Sequence, residues 1–149
     1  MRAVVQRAET AKVTVEERQI AEIGKGILIF LGIAAGDKEA DADYLLEKII
    51  NLRIFEDEQG KMNLSLLDID GEMLVVSQFT LLGDCRNGRR PSFIEAEKPE
   101  KALFLYEHLI SQARKRIPVV VTGEFQAMMK VQLVNDGPVT MLLDSRRSF

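Results

Sequence analysis

Hydrophobic and polar residues alternate along the first 32 positions in the manner of β-strands. Val13 and Val15 alternate with polar neighbours, and the run GILIFLGI is apolar on both faces. This pattern predicts a set of strands across AVVQRAETAKVTVEERQIAEIGKGILIFLGI, with the last strand central and buried. The later segments around EMLVVSQFT, VVVTG, MMKVQLV and VTMLLD predict further strands.

Two segments carry the apolar spacing of amphipathic helices. The first is predicted to begin near Asp37, an acceptable N-cap, and to bury a stripe from ADADYLLEKII. The second is predicted to begin at KPEKALF, where Pro99 suits the first helical position. Many strands and two main helices without regular βαβ alternation predict an α+β fold with a largely antiparallel, barrel-like sheet.

Length and composition favour one domain covering residues 1–149. The longest apolar run is too short for a membrane span, and MRAVVQRAET lacks the features of a signal peptide. With a single cysteine, Cys85, there is no internal disulfide framework, so we expect a cytoplasmic protein. The net charge of −3 does not indicate a general nucleic-acid binder, and we expect no membrane and no DNA partner.

Several kinds of catalytic chemistry are missing from the chain. One histidine and one cysteine cannot form a tetrahedral Cys/His metal site, and neither a G-x-S-x-G nor a P-loop motif occurs. We therefore expect no metal and no cofactor. His108 is predicted to be a surface residue and Cys85 a plain loop thiol. A hydrolase built from this chain would depend on positioning and on backbone donors aimed at developing charge.

The stretch VVSQFTLLGD places polar residues at the end of an apolar strand. Ser77, Gln78 and Thr80 surround Phe79. These groups suit either a strand end, where the hydroxyls and the amide bind neighbouring strands, or the floor of a ligand pocket. The residues alone leave both interpretations open.

The stretch RNGRRPS clusters three arginines, Arg86, Arg89 and Arg90, in a segment marked by Gly and Pro. Guanidinium groups in such a loop could bind phosphates. A solvated loop with surface ion pairs is the alternative, because exposed basic residues are common.

The stretch NDGPVT separates two strand-like segments. Asp-Gly alone is sufficient for a two-residue hairpin turn, so Pro138 is an additional constraint at the start of the next strand. The Gly137–Pro138 bond could be cis, although only about 5–6% of such bonds are cis in folded proteins. The stretch is either an ordinary turn or a specialised one.

Taken together, LVVSQFTLLGDCRNGRRPSF and VQLVNDGPVTMLLD resemble the D-aminoacyl-tRNA deacylases of the D-tyrosyl-tRNA deacylase (Gly-cisPro) type. MRAVVQR, ADYLLEKIINLRIFEDEQGKMN and TGEFQAMM agree with this resemblance, which runs from Met1 to Asp144. It implies a homodimeric α+β enzyme, with active sites at the subunit interface, that acts on aminoacyl-tRNA. The enzyme hydrolyses the ester between a D-amino acid, or misattached glycine, and the 3′-terminal adenosine.

The resemblance also implies roles for individual residues. The peptide Gly137–Pro138 is expected to be cis and to enter the partner's site, where its two carbonyl oxygens meet the substrate's α-ammonium group. An L side chain would then strike the wall, so selection works by exclusion. Asn135 and Asp136 would shape the turn.

The implied catalytic residues are Ser77, Gln78, Phe79 and Thr80, which line the pocket. Backbone N–H groups near Phe79 and Thr80 would hold the ester carbonyl oxygen as charge develops. The pattern also implies that Phe125 and Met129 pack on the terminal adenine, and Arg86, Arg89 and Arg90 become candidates for contacting phosphates near the acceptor end. Gln126 stands where many family members have a smaller residue, and Cys85 where a hydroxyl residue is frequent.

Two mechanisms fit the sequence. In one, the Thr80 hydroxyl is a nucleophile; in the other, the 2′-hydroxyl of the RNA helps to activate the attack and Thr80 contributes only its backbone. We prefer the second, because the chain offers Thr80 no base. The rival functions are a Thr-nucleophile esterase acting on small esters and a non-catalytic RNA-binding dimer.

Overall fold

Eight β-strands, two α-helices and one short 3₁₀-helix are formed by the 149 residues, all of which the computed structural model describes. The strands are β1 (Arg2–Val15), β2 (Arg18–Ile23), β3 (Gly26–Gly32), β4 (Phe55–Glu56), β5 (Met62–Leu64), β6 (Glu72–Ser77), β7 (Val120–Thr122) and β8 (Lys130–Asp144). The helices are α1 (Glu39–Ile50) and α2 (Pro99–Arg114), and the 3₁₀-helix spans Phe79–Leu82.

Six strands form one mixed sheet. Its order is β2-β1-β3-β6-β7, and β8 pairs with β1 on the edge opposite β3. The strand β1 is long enough to pair with β3 through its first half and with β2 through its second half. Because β2 also contacts β6 and β7, the sheet nearly closes into a barrel. The strands β4 and β5 form a separate antiparallel pair.

The predicted fold class is confirmed, and the sheet adds a detail that the pattern did not predict. The pairings of β1 with β2, β3 and β8 are antiparallel, whereas β3 with β6 and β6 with β7 are parallel. Each parallel pair requires a crossover, and the connections through α1 and through α2 supply them. The carboxyl ends of β3, β6 and β7 therefore meet at one edge of the sheet.

Two clusters of buried residues lie on the two faces of the sheet. The larger cluster packs α1 and α2 against residues such as Val5, Ile29 and Val75. The smaller one contains Val13, Leu74 and other residues on the opposite face. The hydroxyl of the buried Tyr106 in α2 donates to the Val75 carbonyl oxygen at 2.8 Å and so ties the second helix to β6. Neither helix is long and apolar enough to cross a membrane.

The N-cap of the first helix lies one residue after the predicted Asp37. Asp37 does not cap α1; it is buried and accepts a hydrogen bond from the Ala34 N–H at 2.7 Å. Its carboxylate also lies 2.7 Å from the Met1 α-ammonium and 3.0 Å from Arg146 Nη2. A carboxylate with these partners is not available to the helix, and Lys38 is the N-cap instead. Pro99 occupies the first turn of α2, as predicted.

Candidate active site

The polar stretch after β6 folds into a tight turn at the carboxyl edge of the parallel strands. Ser77 ends β6 opposite Leu31, and the Gln78 N–H donates to the Leu31 carbonyl oxygen at 2.8 Å. The 3₁₀-helix follows at once and lies over Gly32. A Cβ on Gly32 would stand 2.9 Å from the Gln78 carbonyl oxygen and 2.6 Å from Leu82 Cδ2. Only glycine therefore leaves room for the turn to approach β3.

The first two N–H groups of this turn, those of Phe79 and Thr80, have no acceptor within the 3₁₀-helix, because the first donors of any helical segment lack an intrahelical partner. Both residues are exposed, with Phe79 at 57% of its full surface. Two adjacent free donors at a rigid turn can stabilise an oxygen that gains negative charge.

The Thr80 hydroxyl has a side-chain partner but no base. Its Oγ1 accepts a hydrogen bond from Gln78 Nε2. The only histidine, His108, lies between the helices, with Nε2 2.8 Å from Asp43 Oδ1 and Nδ1 3.4 Å from Glu39 Oε1. No group of three or more His, Cys, Asp or Glu side chains that could hold a metal ion is present.

Two contacts that the sequence did not indicate brace the turn. Arg2 Nη1 donates to the Leu81 carbonyl oxygen at 3.0 Å, and Arg2 Nε lies 3.6 Å from Asp144 Oδ2. The Phe79 ring packs edge-on against Phe93, with centroids 5.0 Å apart. The turn is thus fixed from both ends.

The stretch NDGPVT is a bulge in one strand and not a hairpin turn. Both flanking segments belong to β8 and pair with β1, in a register that joins Ala8 to Asn135 and Gln6 to Thr140. The residues between Asn135 and Thr140 therefore face a single residue of β1, Arg7, and must project from the sheet. The two segments resembled hairpin arms because each alone alternates like a strand.

The bulge has its own hydrogen bonds. Asn135 Oδ1 accepts from the Val139 N–H at 2.9 Å, and Asn135 Nδ2 donates to Thr140 Oγ1 at 3.0 Å. The Gly137–Pro138 peptide bond is cis, and Gly137 has φ +125°. Gly137 and Pro138 are both exposed.

Arg7 is the residue that fixes the bulge to the sheet. Its side chain is only 6% exposed, and its Nε lies 3.0 Å from the Asp136 carbonyl oxygen and 3.2 Å from Asp136 Oδ2. Its Nη1 donates to the Ile54 carbonyl oxygen at 2.7 Å. Sequence reasoning missed this role, although a signal exists: Arg7 interrupts the apolar face that Ala3 and Val5 begin.

The turn and the bulge lie far apart within one chain. The strands β1 and β3 separate β8 from β6, and strands are about 4.8 Å apart. Gly137 lies opposite Arg7, which pairs with Ile27, whereas the turn lies at Gly32, five residues along β3. With a rise of about 3.3 Å per residue, these steps across and along the sheet correspond to a separation of roughly 20 Å. The two motifs therefore do not form one site in a single chain.

The three clustered arginines lie in a loop that leaves the turn directly. Arg86 is 87% exposed and forms a two-point pair with Asp84, at 2.9 Å from Nε and 2.8 Å from Nη2. Hydrogen bonds from Arg86 lower the pKa of Asp84 to about 2. Arg89 and Arg90 are exposed and have no hydrogen-bonding or ionic partner in the chain. The loop is closed by a bridge between Asp84 and Ser92.

The predicted adenine contacts follow β7 at the same edge of the sheet. Phe125 is half-buried beside Tyr106, with ring centroids 5.8 Å apart, and it lines a cavity of about 470 Å³. Met129 packs against the opposite cluster of buried residues, next to Gly123. Between them, Gln126 has φ +62° and is exposed.

Comparisons with known proteins agree on one family. Residues 4–144 match the family described as D-Tyr-tRNA(Tyr) deacylase. A D-aminoacyl-tRNA deacylase of Syntrophus aciditrophicus is 70% identical, and one of Clostridioides difficile is 60% identical, each over the full length of both chains. A solved structure named c-Myc DNA unwinding element binding protein is 44% identical, with a TM-score of 0.92 over 97% of this chain and 98% of that chain.

Proposed function

Because the chain belongs to the D-Tyr-tRNA(Tyr) deacylase family and hydrolyses the ester bond of D-aminoacyl-tRNA, we propose that two copies of the chain together form each active site. One copy supplies the turn Ser77–Thr80, and the other supplies the bulge with Gly137 and Pro138. The observation that carries this proposal is the strand order and register, which separate the two motifs in one chain by roughly 20 Å.

The outer surface of β8 favours such a dimer. This strand pairs only with β1, so its second edge is open to another chain. Val134 is 52% exposed and Leu142 60% exposed on the same strand, and apolar side chains of this size favour burial in an interface. The twofold relation of two such chains would bring each bulge to the partner's turn.

The reaction is an ester hydrolysis with a defined place for each group. Water attacks the carbonyl carbon, and the N–H groups of Phe79 and Thr80 stabilise the negative oxygen that results. The bond from carbon to the ribose oxygen then breaks, and that oxygen takes up a proton. The products are a free D-amino acid and tRNA with an intact 3′ end.

The neighbouring 2′-hydroxyl of the RNA assists the attack, since the chain provides no base. Thr80 has only the Gln78 amide as a side-chain partner, and His108 is held by Asp43. We expect Thr80→Ala to keep most of the deacylation rate, whereas loss of turnover in a folded Thr80→Ala dimer would favour a threonine nucleophile. Active-site labelling by a phosphonate ester would point to the same rival.

Selectivity arises from the carbonyl oxygens of Gly137 and Pro138. They bind the substrate's α-ammonium group and orient the α-carbon, so a D side chain points outward and an L side chain meets backbone. Glycine has no side chain and is accepted. A backbone clamp of this kind makes the identity of the D residue unimportant.

The remaining predicted residues bind the RNA. Phe125 and Met129 contact the terminal adenine, and Arg89 and Arg90 contact phosphates near the acceptor end, with a smaller share from the paired Arg86. We infer that the protein acts in the cytoplasm, where aminoacyl-tRNA is used in translation.

The decisive experiment compares matched D- and L-aminoacyl-tRNA and follows ester loss with time. We expect rapid hydrolysis of the D ester and of glycyl-tRNA, and a rate on the L ester close to that without protein. Equal hydrolysis of D and L esters would refute the selection mechanism. Binding of tRNA without hydrolysis of either ester would support the non-catalytic alternative.

A further inference from the structure

The base of the β8 bulge is closed by a single side-chain amide. Asn135 and Thr140 are the two residues at which β8 leaves its pairing with β1 and rejoins it. The Asn135 amide reaches across this base, because its Oδ1 accepts from the Val139 N–H at 2.9 Å and its Nδ2 donates to Thr140 Oγ1 at 3.0 Å. The orientation of the amide is therefore defined, since only its oxygen can accept from a backbone N–H.

Thr140 Oγ1 accepts a second hydrogen bond, which comes from β1. Gln6 is the register partner of Thr140, and its Nε2 lies 3.2 Å from the same oxygen. Two lone pairs are the full accepting capacity of a hydroxyl group, and both are used here. One oxygen thus joins the amide of Gln6 to the amide of Asn135.

Thr140 holds the bulge from the face of the sheet opposite Arg7. Successive side chains of a strand point to opposite faces, so Gln6 and Arg7 lie on different sides of β1. Arg7 binds the Asp136 carbonyl oxygen on one side, whereas Thr140 and Gln6 meet on the other. Val139 is 5% exposed and packs in the larger buried cluster. The bulge is therefore attached to the sheet from both faces.

We propose that Thr140 is a positioning residue for the selection of D-aminoacyl esters. Its hydroxyl oxygen holds the amides of Asn135 and Gln6. It thereby fixes the direction of the two carbonyl oxygens at Gly137 and Pro138. The inference rests on the proposed function, because those two oxygens are the groups proposed there to bind the α-ammonium group of the substrate.

A hydroxyl is required at this position because both amides would otherwise lose their acceptor. In the proposed dimer the bulge lies against the partner's turn, where water is excluded, and a donor left without an acceptor there is costly. The Asn135 side chain would turn towards another acceptor and release the Val139 N–H. The bulge would then lose its fixed base, whereas the fold of each chain would remain.

Thr140→Val tests the proposal, since it removes the hydroxyl and keeps a branched side chain that suits a strand. The kcat for D-aminoacyl-tRNA should fall about ten- to thirtyfold, less than the ~10²-fold loss that a displacement of about 1 Å causes. The KM for tRNA should not change, because the residues proposed to bind the RNA lie outside the bulge. The ratio of D to L hydrolysis, measured on matched D- and L-aminoacyl-tRNA, should decrease, since a bulge that moves excludes an L side chain less strictly.

Two further variants show whether the hydroxyl oxygen is responsible. Thr140→Ser supplies the same oxygen without the methyl group, so it should restore both kcat and the D to L ratio. Gln6→Met removes one of the two donors and should cause a smaller loss in the wild-type background. In the Thr140→Val background Gln6→Met should add nothing, because groups that act through one shared partner are not additive.

Thr14→Val is the matched control. Thr14 lies in β1 and pairs with Lys130 at the start of β8, far from the bulge. The same substitution there should leave kcat and the D to L ratio unchanged. All variants should sediment as the wild type does and show the same circular dichroism, because Gln6 and Thr140 lie outside both clusters of buried residues.

Each result separates the positioning role from the activity itself. An unchanged D to L ratio in Thr140→Val, no recovery in Thr140→Ser, or additive losses in the double variant with Gln6→Met would overturn the role while the hydrolysis of D esters stands. Dissociation of the Thr140→Val dimer into monomers would also overturn it and assign Thr140 to the contact between subunits. A wild-type protein that hydrolyses no D-aminoacyl-tRNA would refute the proposed function as well.

Discussion

The β8 bulge and the loop from Asp84 to Ser92 are both irregular, polar and exposed, yet they are held in opposite ways. The bulge is fixed by Arg7, whose buried side chain binds two backbone carbonyl groups, and by the two side-chain bonds of Asn135. The loop is held by one isolated bridge and by an exposed pair between Asp84 and Arg86. Buried polar contacts therefore hold the bulge in place, but not the loop.

This difference matches what each segment is proposed to do. Discrimination between D and L configurations depends on backbone oxygens that keep their position, because a small shift would admit the wrong side chain. Phosphate binding needs only charge at the right distance, and long arginine side chains on a loosely held loop can adjust to it. The following variants test the comparison, from the largest expected effect to the smallest.

Gly137→Ala should nearly abolish deacylation, by about 10²-fold or more, because misplacement by about 1 Å costs that much. A Cβ on Gly137 would lie 2.9 Å from Arg7 Nη2 and 2.8 Å from Val139 Cγ2, at φ +125°. Single-turnover hydrolysis of D-aminoacyl-tRNA provides the measurement. Gly88→Ala in the loop is the control: its φ is +93° but nothing lies within 4 Å of the added atom, so activity should persist. Similar losses of activity in Gly137→Ala and Gly88→Ala would show that activity depends on the backbone of the loop as much as on that of the bulge.

Arg7→Met should lower the free energy of unfolding by about 1.5–3 kcal/mol, the range for hydrogen bonds to a charged group. The bulge would lose its attachment to the sheet, so the ratio of D to L hydrolysis should also decrease. Chemical denaturation and paired D and L assays measure the two effects. Arg146→Met is a suitable comparison, since Arg146 also binds a backbone carbonyl group and a carboxylate, at Ala35 and Asp37, away from the bulge. An unchanged D to L ratio in Arg7→Met would show that the bulge keeps its shape without this residue.

The double variant Arg89→Gln, Arg90→Gln should raise KM for tRNA about three- to tenfold and leave kcat nearly unchanged. The salt dependence of KM should become shallower by about 1.4, which corresponds to two phosphate contacts at about 0.7 each. Arg18→Gln removes one exposed charge from β2, away from the loop, and shows how much of the effect the loss of a surface charge alone produces. A loss in kcat with constant KM would indicate that the loop positions the turn instead of binding phosphate.

Asp84→Asn should have the smallest effect, with only a slight loss of stability near pH 7, because exposed pairs contribute little. The pKa of Asp84 is lowered to about 2, so the pair stabilises the fold fully above the ordinary pKa of 3.8, and its contribution disappears as the pH falls towards 2. The free energy of unfolding between pH 2 and pH 5 should accordingly depend slightly less on pH in the variant. A large loss of activity in Asp84→Asn would mean that activity requires a fixed conformation of the loop, as it does for the bulge.

Local patterns predicted most of the secondary structure but not its connections. The apolar run of β3 and the start of α2 at Pro99 follow from periodicity and propensity, which depend on neighbouring residues. The parallel pairing of β3 with β6 depends on how α1 crosses the sheet. That crossover cannot be predicted from patterns among neighbouring residues. In the same way, β8 looked like two strands because the register with β1 that unites them is set by residues more than a hundred positions away.

The candidate site shows the same limit. The resemblance provided Ser77, Thr80 and Gly137 as motif residues, but the contacts that support them come from elsewhere in the chain. Arg7 and Arg2 lie near the start of β1 and act only because the fold brings β1 beside the bulge and the turn. Asp37 was misassigned because its partners, Met1 and Arg146, lie at the two ends of the sequence.

The distance between the turn and the bulge has a genetic consequence. In the proposed dimer, a chain with Gly32→Ala, which displaces the turn, and a chain with Gly137→Ala would each be inactive alone. Random mixing makes half of the dimers heterodimers, and each of these has one site with both defects and one site with neither. About a quarter of all sites would thus be restored. Two recessive alleles of one gene would therefore complement each other, because the turn and the bulge of one chain belong to two different active sites of the dimer.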